Sequence, residues 1–324
     1  MKPILSVIAA SLLGLVLYSG LFGVVIDKPL SVGIFDRVYS QKRAYGQALD
    51  KPKIVLAAGS SGFYSDRCET IAEESGIPCV NLSIALALGR ETILQQVKQV
   101  AEPGDIVLLP WEYRLYFLNA EDMRARISYP YIVRHEKSFL KGLGVRRSLD
   151  ALFYFDLDYL FAALLETENY VGGKRHGFDK EGRMTLQGDY RGHTAEVAAK
   201  YREKVETAGS SAAETRRIAE MVEPPAGLME FIKWANANDI TVYGLLSPSV
   251  DSGELSPEAL DKMRAWFGMA EKGGFLEFKG NLQYPYTCFF DSREHLQEEC
   301  QIQHSRVIGK GLAEQVRFNS QPED

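Results

Sequence analysis

Two short segments near opposite ends of the chain carry residue types that can do nucleophilic chemistry. Residues 59–62 (GSSG) directly follow a short apolar run. A serine on a turn between a strand and a helix is exposed, and its own N–H can hold an oxyanion. The second segment carries Asp291 and His295, four residues apart. A serine nucleophile needs a base, and the base needs an acid to fix its tautomer. Taken singly, each segment is equally compatible with a capped turn or with ordinary surface residues.

The elements that must position these segments alternate between strands and helices. Short apolar runs predict strands at 54–58, 79–84, 105–109 and 241–246, and helical spacing lies between them at 66–75 and 90–101. Short links between such elements predict a parallel sheet with right-handed crossovers. Ligands of open parallel sheets bind beyond the carboxyl ends of the strands, and the GSSG turn lies at such an end.

A third candidate position follows the third predicted strand. Trp111 and Glu112 come directly after it, and the carboxylate or the indole N–H can contribute polar contacts to a pocket. The alternative is an aromatic lid over the sheet end. His304, on the last predicted helix, is expected to be structural or exposed.

Four blocks of the sequence resemble those of the SGNH (GDSL-type) hydrolase superfamily. They are AAGSSG after the first strand, CVNLS on the second, GDIVLLPWEY on the third and FFDSREHL before the last helix. The resemblance implies a flavodoxin-like three-layer α/β sandwich with a central parallel sheet. It further implies Ser61 as nucleophile, His295 as base and Asp291 as acid. Ser60, one place nearer the strand, is the competing serine.

The resemblance also implies candidates for the oxyanion hole and the substrate pocket, namely Ser83, Gly89, Trp111 and Glu112. The third block departs from the family pattern, because PWEY stands where the family has an asparagine donor. Such departures are similar to those in membrane-anchored members encoded with polysaccharide or cell-envelope acylation systems. The implied activity is that of an esterase or O-acyltransferase on acyl, most simply acetyl, esters of an envelope or secreted polysaccharide. A membrane-bound O-acyltransferase is the implied partner. The alternative is a catalytically inert domain that binds glycan or scaffolds an envelope complex, which the missing asparagine favours.

The N-terminal segment predicts a membrane anchor. Residues 4–26 contain no charged side chain, and a helix of that length spans about 34 Å, against a hydrocarbon core of about 30 Å. The run ends without a small-residue cleavage site, which favours an uncleaved anchor over a signal peptide. The lysines and arginines that follow it favour a cytoplasmic body, although long domains translocate largely regardless of charge.

The cysteines point instead to a body outside the cytoplasm. Four cysteines fall as two local pairs, Cys68 with Cys79 and Cys288 with Cys300, a pattern typical of disulfides in an oxidising compartment. Four buried thiols are the alternative, and a cytoplasmic body would require them reduced. Together with the predicted membrane anchor, the two cysteine pairs favour a single-pass membrane protein whose body is periplasmic or otherwise extracytoplasmic.

The composition limits the class of protein and the partners and cofactors it is expected to have. The 324 residues are 46% hydrophobic and 25% charged, as in ordinary packed proteins. The net charge of −6 argues against a nucleic-acid partner, since such proteins usually carry a basic face. Five histidines without metal-ligand spacing predict no metal site, and no other cofactor is indicated. We expect an anchor at 1–30, a juxtamembrane linker at 31–52, an α/β domain at 53–113 and 226–318, and a largely helical insertion at 114–225 with an aromatic-rich run at 152–165.

Overall fold

A computed structural model gives the structure of the chain and describes residues 2–25, 30–118, 131–132, 135–136, 145, 148–149, 183–208, 211–225, 227–251 and 253–319. The chain divides into two compact units, Met1–Arg37 with Arg124–Asp179, and Val38–Met123 with Lys180–Asp324. The second unit contains the sheet and both segments singled out above. The aromatic-rich run at 152–165 lies outside the described residues.

The second unit is built on five parallel strands in the spatial order β2-β1-β3-β4-β6. They are β1 (Ile54–Leu56), β2 (Cys79–Asn81), β3 (Ile106–Leu109), β4 (Thr241–Leu245) and β6 (Gly273–Leu276). Two further strands, β5 (Ser249–Val250) and β7 (Gln283–Tyr284), pair separately and in parallel. The α/β class with a central parallel sheet is therefore confirmed.

The helices follow the predicted alternation. In chain order they are α1 (Lys2–Val25), α2 (Leu30–Ala48), α3 (Ser60–Ser65), α4 (Cys68–Ser75), α5 (Arg90–Lys98), α6 (Tyr113–Phe117), α7 (Ala195–Ala199), α8 (Arg202–Glu206), α9 (Ser211–Glu220), α10 (Leu228–Ala237), α11 (Pro257–Phe267) and α12 (Glu298–Asn319). Short 3₁₀ turns lie at Leu86–Leu88, Lys279–Leu282 and Tyr286–Cys288. Ser256 caps α11 as its sequence predicts, since its hydroxyl accepts from the Ala259 amide and a proline opens the helix.

Both faces of the sheet are covered. Every residue of β1, β2 and β3 is buried, as expected for strands of a parallel sheet with helices on each side. Their Val and Ile side chains join Ile71 of α4, Val97 of α5 and Ile308 of α12 in one continuous core. This packing holds the carboxyl ends of β1, β3 and β4 at one edge of the sheet.

Two parts of the chain that the sequence assigned outside the α/β domain take part in it. The expected linker at 31–52 is helical from Leu30 to Ala48, and the buried Lys42 of this helix donates to the backbone carbonyl of Ser83. Within the expected insertion, Tyr190 packs against Phe63 of α3, with ring centroids 5.6 Å apart, and its N–H donates to the Phe63 carbonyl. The part of the expected insertion around Tyr190 therefore packs with the second unit instead of forming a separate body.

The N-terminal unit contains one long apolar helix. Residues Pro3–Leu21 of α1 have a mean hydropathy of 2.2, and none of this stretch is buried. The helix is long and apolar enough to cross a membrane, as the sequence predicts. A signal sequence has the same length and composition.

Candidate active site

The GSSG turn joins β1 to α3 at the carboxyl edge of the sheet. β1 ends at Leu56, and α3 begins at Ser60. The two adjacent serines differ completely in environment, because Ser60 is half-buried whereas Ser61 is fully buried. Consecutive residues of a helix point about 100° apart, so only one of the two hydroxyls can face the loop across the turn.

Ser60, His295 and Asp291 form a hydrogen-bonded relay. The Ser60 Oγ lies 2.9 Å from His295 Nε2, and Asp291 Oδ1 lies 2.6 Å from His295 Nδ1. The imidazole and the carboxylate are 14% and 25% exposed, so both reach solvent in part. These distances are those of a serine whose proton can pass to a base that a carboxylate orients.

The structure corrects the expected position of the serine by one residue. The Ser61 hydroxyl points away from His295 and lies 2.6 Å from the Ser247 hydroxyl, just beyond β4. Both hydroxyls are buried. Ser61 therefore anchors the turn to β4, and Ser60 is the residue placed against the imidazole.

Glu112 lies beneath the turn instead of lining a pocket. Its Oε2 accepts from the Gly59 N–H at 2.9 Å and its Oε1 from the Ser61 N–H at 2.8 Å. Burial raises the pKa of Glu112, while the N–H donors and the nearby His295 limit the rise. The turn can lie this close to Glu112 and Leu86 only with a glycine at position 59. A Cβ there would lie 2.7 Å from the Leu86 backbone nitrogen and closer still to the Glu112 carboxylate.

The loop that carries Asp291 and His295 is fastened at several points. Phe289 and Leu296 form an isolated antiparallel bridge, and the Phe290 N–H donates to the His295 carbonyl at 2.7 Å. The Ser65 hydroxyl of α3 donates to the Glu294 carbonyl and accepts from the Leu296 N–H, each at 2.9 Å. These bonds tie the loop directly to the helix that begins at Ser60.

Both local cysteine pairs are disulfides. Cys68 of α4 is bonded to Cys79 of β2, and Cys288 is bonded to Cys300 of α12. The second disulfide encloses the whole of the loop that holds the relay. It therefore joins the start of that loop to the helix that follows it.

Aromatic rings form one wall beside the imidazole. Tyr64 stacks on His295, with ring centroids 4.4 Å apart and planes 26° apart. Burial raises the pKa of Tyr64 well above its usual value, and Asp291 adds to the rise, so the phenol stays neutral. His193, whose Nε2 lies 3.0 Å from the Tyr64 carbonyl, has its pKa lowered to about 4 by burial and is also neutral near pH 7. The wall therefore orients the imidazole with uncharged rings.

The other candidates for substrate contact do not face this opening. The buried Ser83 hydroxyl accepts from the Ala58 N–H at 2.8 Å, so it supports the end of β1. Gly89 precedes α5 with φ +83°, and its N–H donates to the Leu86 carbonyl. Trp111 is fully buried and packs against Phe267 and Tyr116 in the core. The side chains of Ser83 and Trp111 are therefore buried beside the sheet, which is covered on both faces.

A second histidine–carboxylate pair is entirely interior. His304 Nε2 lies 3.2 Å from Asp66 Oδ1, and its Nδ1 lies 2.9 Å from the Tyr284 hydroxyl. The imidazole and the carboxylate are both inaccessible to solvent. This network links α12 to the segment after α3, which agrees with the structural role expected for His304.

Sequence reasoning missed several residues that build the site. Ser247 contacts Ser61 through one hydrogen bond, Ser65 holds the loop through two, and Tyr64 stacks on His295. Their residue types carry no signal in the sequence, since serine and tyrosine are common at strand ends and in cores. In the part of the chain that the structure describes, no group of three or more His, Cys, Asp or Glu side chains is arranged to hold a metal ion.

No family model matches the chain, and neither a curated protein nor a solved structure does.

Proposed function

We propose that this chain is a membrane-anchored, SGNH-like serine esterase or O-acyltransferase. The observation that carries the proposal is the continuous relay from Ser60 through His295 to Asp291, at 2.9 Å and 2.6 Å. The relay lies at the carboxyl end of β1, beside the point where the order of the strands reverses. Ligands of open α/β sheets bind at such points.

The proposed reaction passes through an acyl-serine. Ser60 Oγ attacks the ester carbonyl while His295 takes its proton, and Asp291 stabilises the imidazolium that forms. Collapse of the tetrahedral intermediate breaks the ester bond, and His295 returns the proton to the departing alcohol oxygen. Water or a sugar hydroxyl then attacks the acyl-serine with His295 again as base, which restores Ser60 and yields a free acid or a new ester.

The strand order supports the SGNH-like, flavodoxin-like assignment. Counted in chain order, the five strands of the main sheet lie as second, first, third, fourth and fifth. This is the order of flavodoxin-like doubly wound sheets. The serine after the first strand, and the Asp and His together before the last helix, agree with the SGNH arrangement.

The N-terminal helix and the disulfides support the proposed location and substrate. A tethered body with two disulfides suits an extracytoplasmic site. An acyltransferase supplied by a membrane-bound O-acyltransferase partner needs to stay near its acyl donor, whereas a free esterase does not. An envelope or secreted polysaccharide is the acceptor or substrate that fits this arrangement.

An inert glycan-binding or scaffolding domain is the second candidate. The observation that favours it is the engagement of the Ser61 N–H by Glu112, together with the absence of an asparagine donor after β3. Oxyanion stabilisation often accounts for a large part of catalysis at serine sites.

Covalent labelling by a fluorophosphonate probe tests the proposal and separates the two serines. We expect the full-length protein in detergent to be labelled, Ser60→Ala to lose labelling, and Ser61→Ala to keep it. Ser61→Ala serves as the matched control, since it removes a neighbouring hydroxyl that does not touch His295. Labelling that survives in Ser60→Ala, or an unlabelled wild type, would refute the proposed chemistry and favour the inert domain.

A further inference from the structure

The turn that carries Ser60 rests on a single buried carboxylate. Glu112 is fully buried, and its two oxygens accept from the amides on either side of Ser60, those of Gly59 and Ser61. The Ser60 amide itself has no acceptor among the described residues. Among the described residues, the carboxylate thereby leaves the N–H of Ser60, whose hydroxyl faces His295, without an acceptor.

A carboxylate suits this position better than an amide side chain of the same size. Each oxygen of Glu112 meets a backbone N–H, so both positions require an acceptor. A glutamine offers one acceptor oxygen and one NH₂ group. Its NH₂ would meet one of the two backbone N–H groups, donor against donor, which would force the turn to shift.

We propose that Glu112 is a positioning residue of this site. It orients the Ser60 hydroxyl toward His295 by holding the amides of Gly59 and Ser61, and it leaves the Ser60 N–H available to an oxyanion. The catalytic part of this inference rests on the proposed function. The positioning is a property of the folded chain and can be measured without turnover.

The kinetic test uses the full-length protein in detergent with a small aryl acetate. In Glu112→Gln we expect kcat to fall about 10²-fold, as for a displacement of a reacting group by about 1 Å, with little change in KM. Glu112→Asp keeps two carboxylate acceptors but has a shorter reach, so kcat should fall less than in Glu112→Gln, again with little change in KM. A wild-type kcat in Glu112→Gln, or a loss of kcat/KM that comes from KM alone, would overturn the proposal.

The second measurement remains decisive if the wild type does not turn over. Hydrogen exchange of the peptide that covers the GSSG turn should be faster in Glu112→Gln than in the wild type, because the amides of Gly59 and Ser61 lose an acceptor. The matched control, the exposed Glu73→Gln of α4, should exchange like the wild type. If Glu112→Gln does not fold, Glu112→Asp must still show faster exchange in the turn. Exchange equal to that of the wild type in the folded variant overturns the proposal, whereas inactivity of the wild type alone refutes only the proposed function.

Discussion

Single residues beneath the relay set its electrostatics. Three acidic side chains, Glu112, Glu214 and Glu294, come together there, and burial raises the pKa of each. Arg293 balances part of this charge through its ion pair with Glu214. Acid groups concentrated behind a base and a nucleophile are typical of functional sites, because their charges tune the protonation of the reacting groups.

Glu294 should make the stability of the protein depend on pH. Burial, together with repulsion from Glu112 and Glu214, raises its pKa to about 8, and its side chain is only 14% exposed. Between the ordinary glutamate pKa of 4.5 and about 8, the folded state keeps the proton and the unfolded state has lost it. The free energy of unfolding should therefore fall as pH rises through this window, by up to about 1.4 kcal/mol per pH unit.

Thermal or denaturant unfolding of Glu294→Gln at several pH values checks this pH dependence. The free energy of unfolding of the variant should exceed that of the wild type by an amount that grows from about pH 4.5 to 8, the span between the two pKa values, and then levels off. Glu73→Gln, on the exposed face of α4, should follow the wild type throughout. A constant difference between Glu294→Gln and wild type across this range would contradict the expectation.

The loop from Phe289 to Leu296 is the element on which the relay depends. It presents two side chains of the relay, and its own regular structure consists of one isolated bridge. Its position comes from Ser65 of α3, from the Cys288–Cys300 disulfide and from the packing of Phe289 and Leu296 around that disulfide. Short loops held at both ends are common carriers of catalytic residues, because the scaffold supplies their rigidity.

Opening the Cys288–Cys300 disulfide should reduce activity more than opening the other one. The two disulfides enclose similar stretches, with separations of 12 and 11 residues, so each should stabilise the fold by about 3 kcal/mol in the chain-entropy model. Cys68–Cys79 fastens α4 to β2 in the core, away from the relay.

Two double variants that each remove one disulfide therefore form a matched pair: Cys288→Ala/Cys300→Ala and Cys68→Ala/Cys79→Ala. At a temperature where both remain folded, the first should show a loss of at least about 10-fold in fluorophosphonate labelling rate, as for a displaced reacting group. The second should stay near the wild-type rate. Equal rates in the two variants would show that the disulfide does not hold the loop in place.

At the scale of the whole molecule, the apolar helix α1 is the part of the chain that bears on location. The stretch Pro3–Leu21 combines a mean hydropathy of 2.2 with side chains none of which is buried. The stretch is long and apolar enough to cross a membrane, and a signal sequence meets the same criterion.

A charge in the middle of α1 should weaken membrane association. Leu12 lies near the centre of Pro3–Leu21 and is 59% exposed. Leu12→Arg should make insertion about 2.5–3.5 kcal/mol less favourable. More of the chain should then appear in the carbonate-extractable fraction of cell membranes.

The exposed Val307→Arg on α12 is the control and should leave the protein in the membrane pellet. Intact mass of the purified protein distinguishes an anchor from a cleaved signal sequence. A mass that lacks the segment through Val25 would contradict the anchor, and Leu12→Arg would then affect export instead of retention.

The sequence by itself determined the features that depend on local pattern. Apolar runs of strand length and helical periodicity predict the parallel α/β class, because burial on both faces demands such runs. A stretch of 23 residues without charge predicts the apolar helix, whereas the roles expected for Asp291 and His295 came from the resemblance. The sequence also predicts the pairing of Cys68 with Cys79 and of Cys288 with Cys300, because the two cysteines of each pair lie close together in the chain.

Only the tertiary structure decided which serine meets the imidazole and what Glu112 does. Ser60 and His295 are separated by 235 residues, and the choice between Ser60 and Ser61 depends on the rotation at which α3 leaves β1. That rotation is set by the bonds from Glu112 to Gly59 and Ser61 and by the contact of Ser61 with Ser247, all between distant segments. A helix turns about 100° per residue, so an error of one position in a sequence pattern reverses which hydroxyl is buried and which one faces His295.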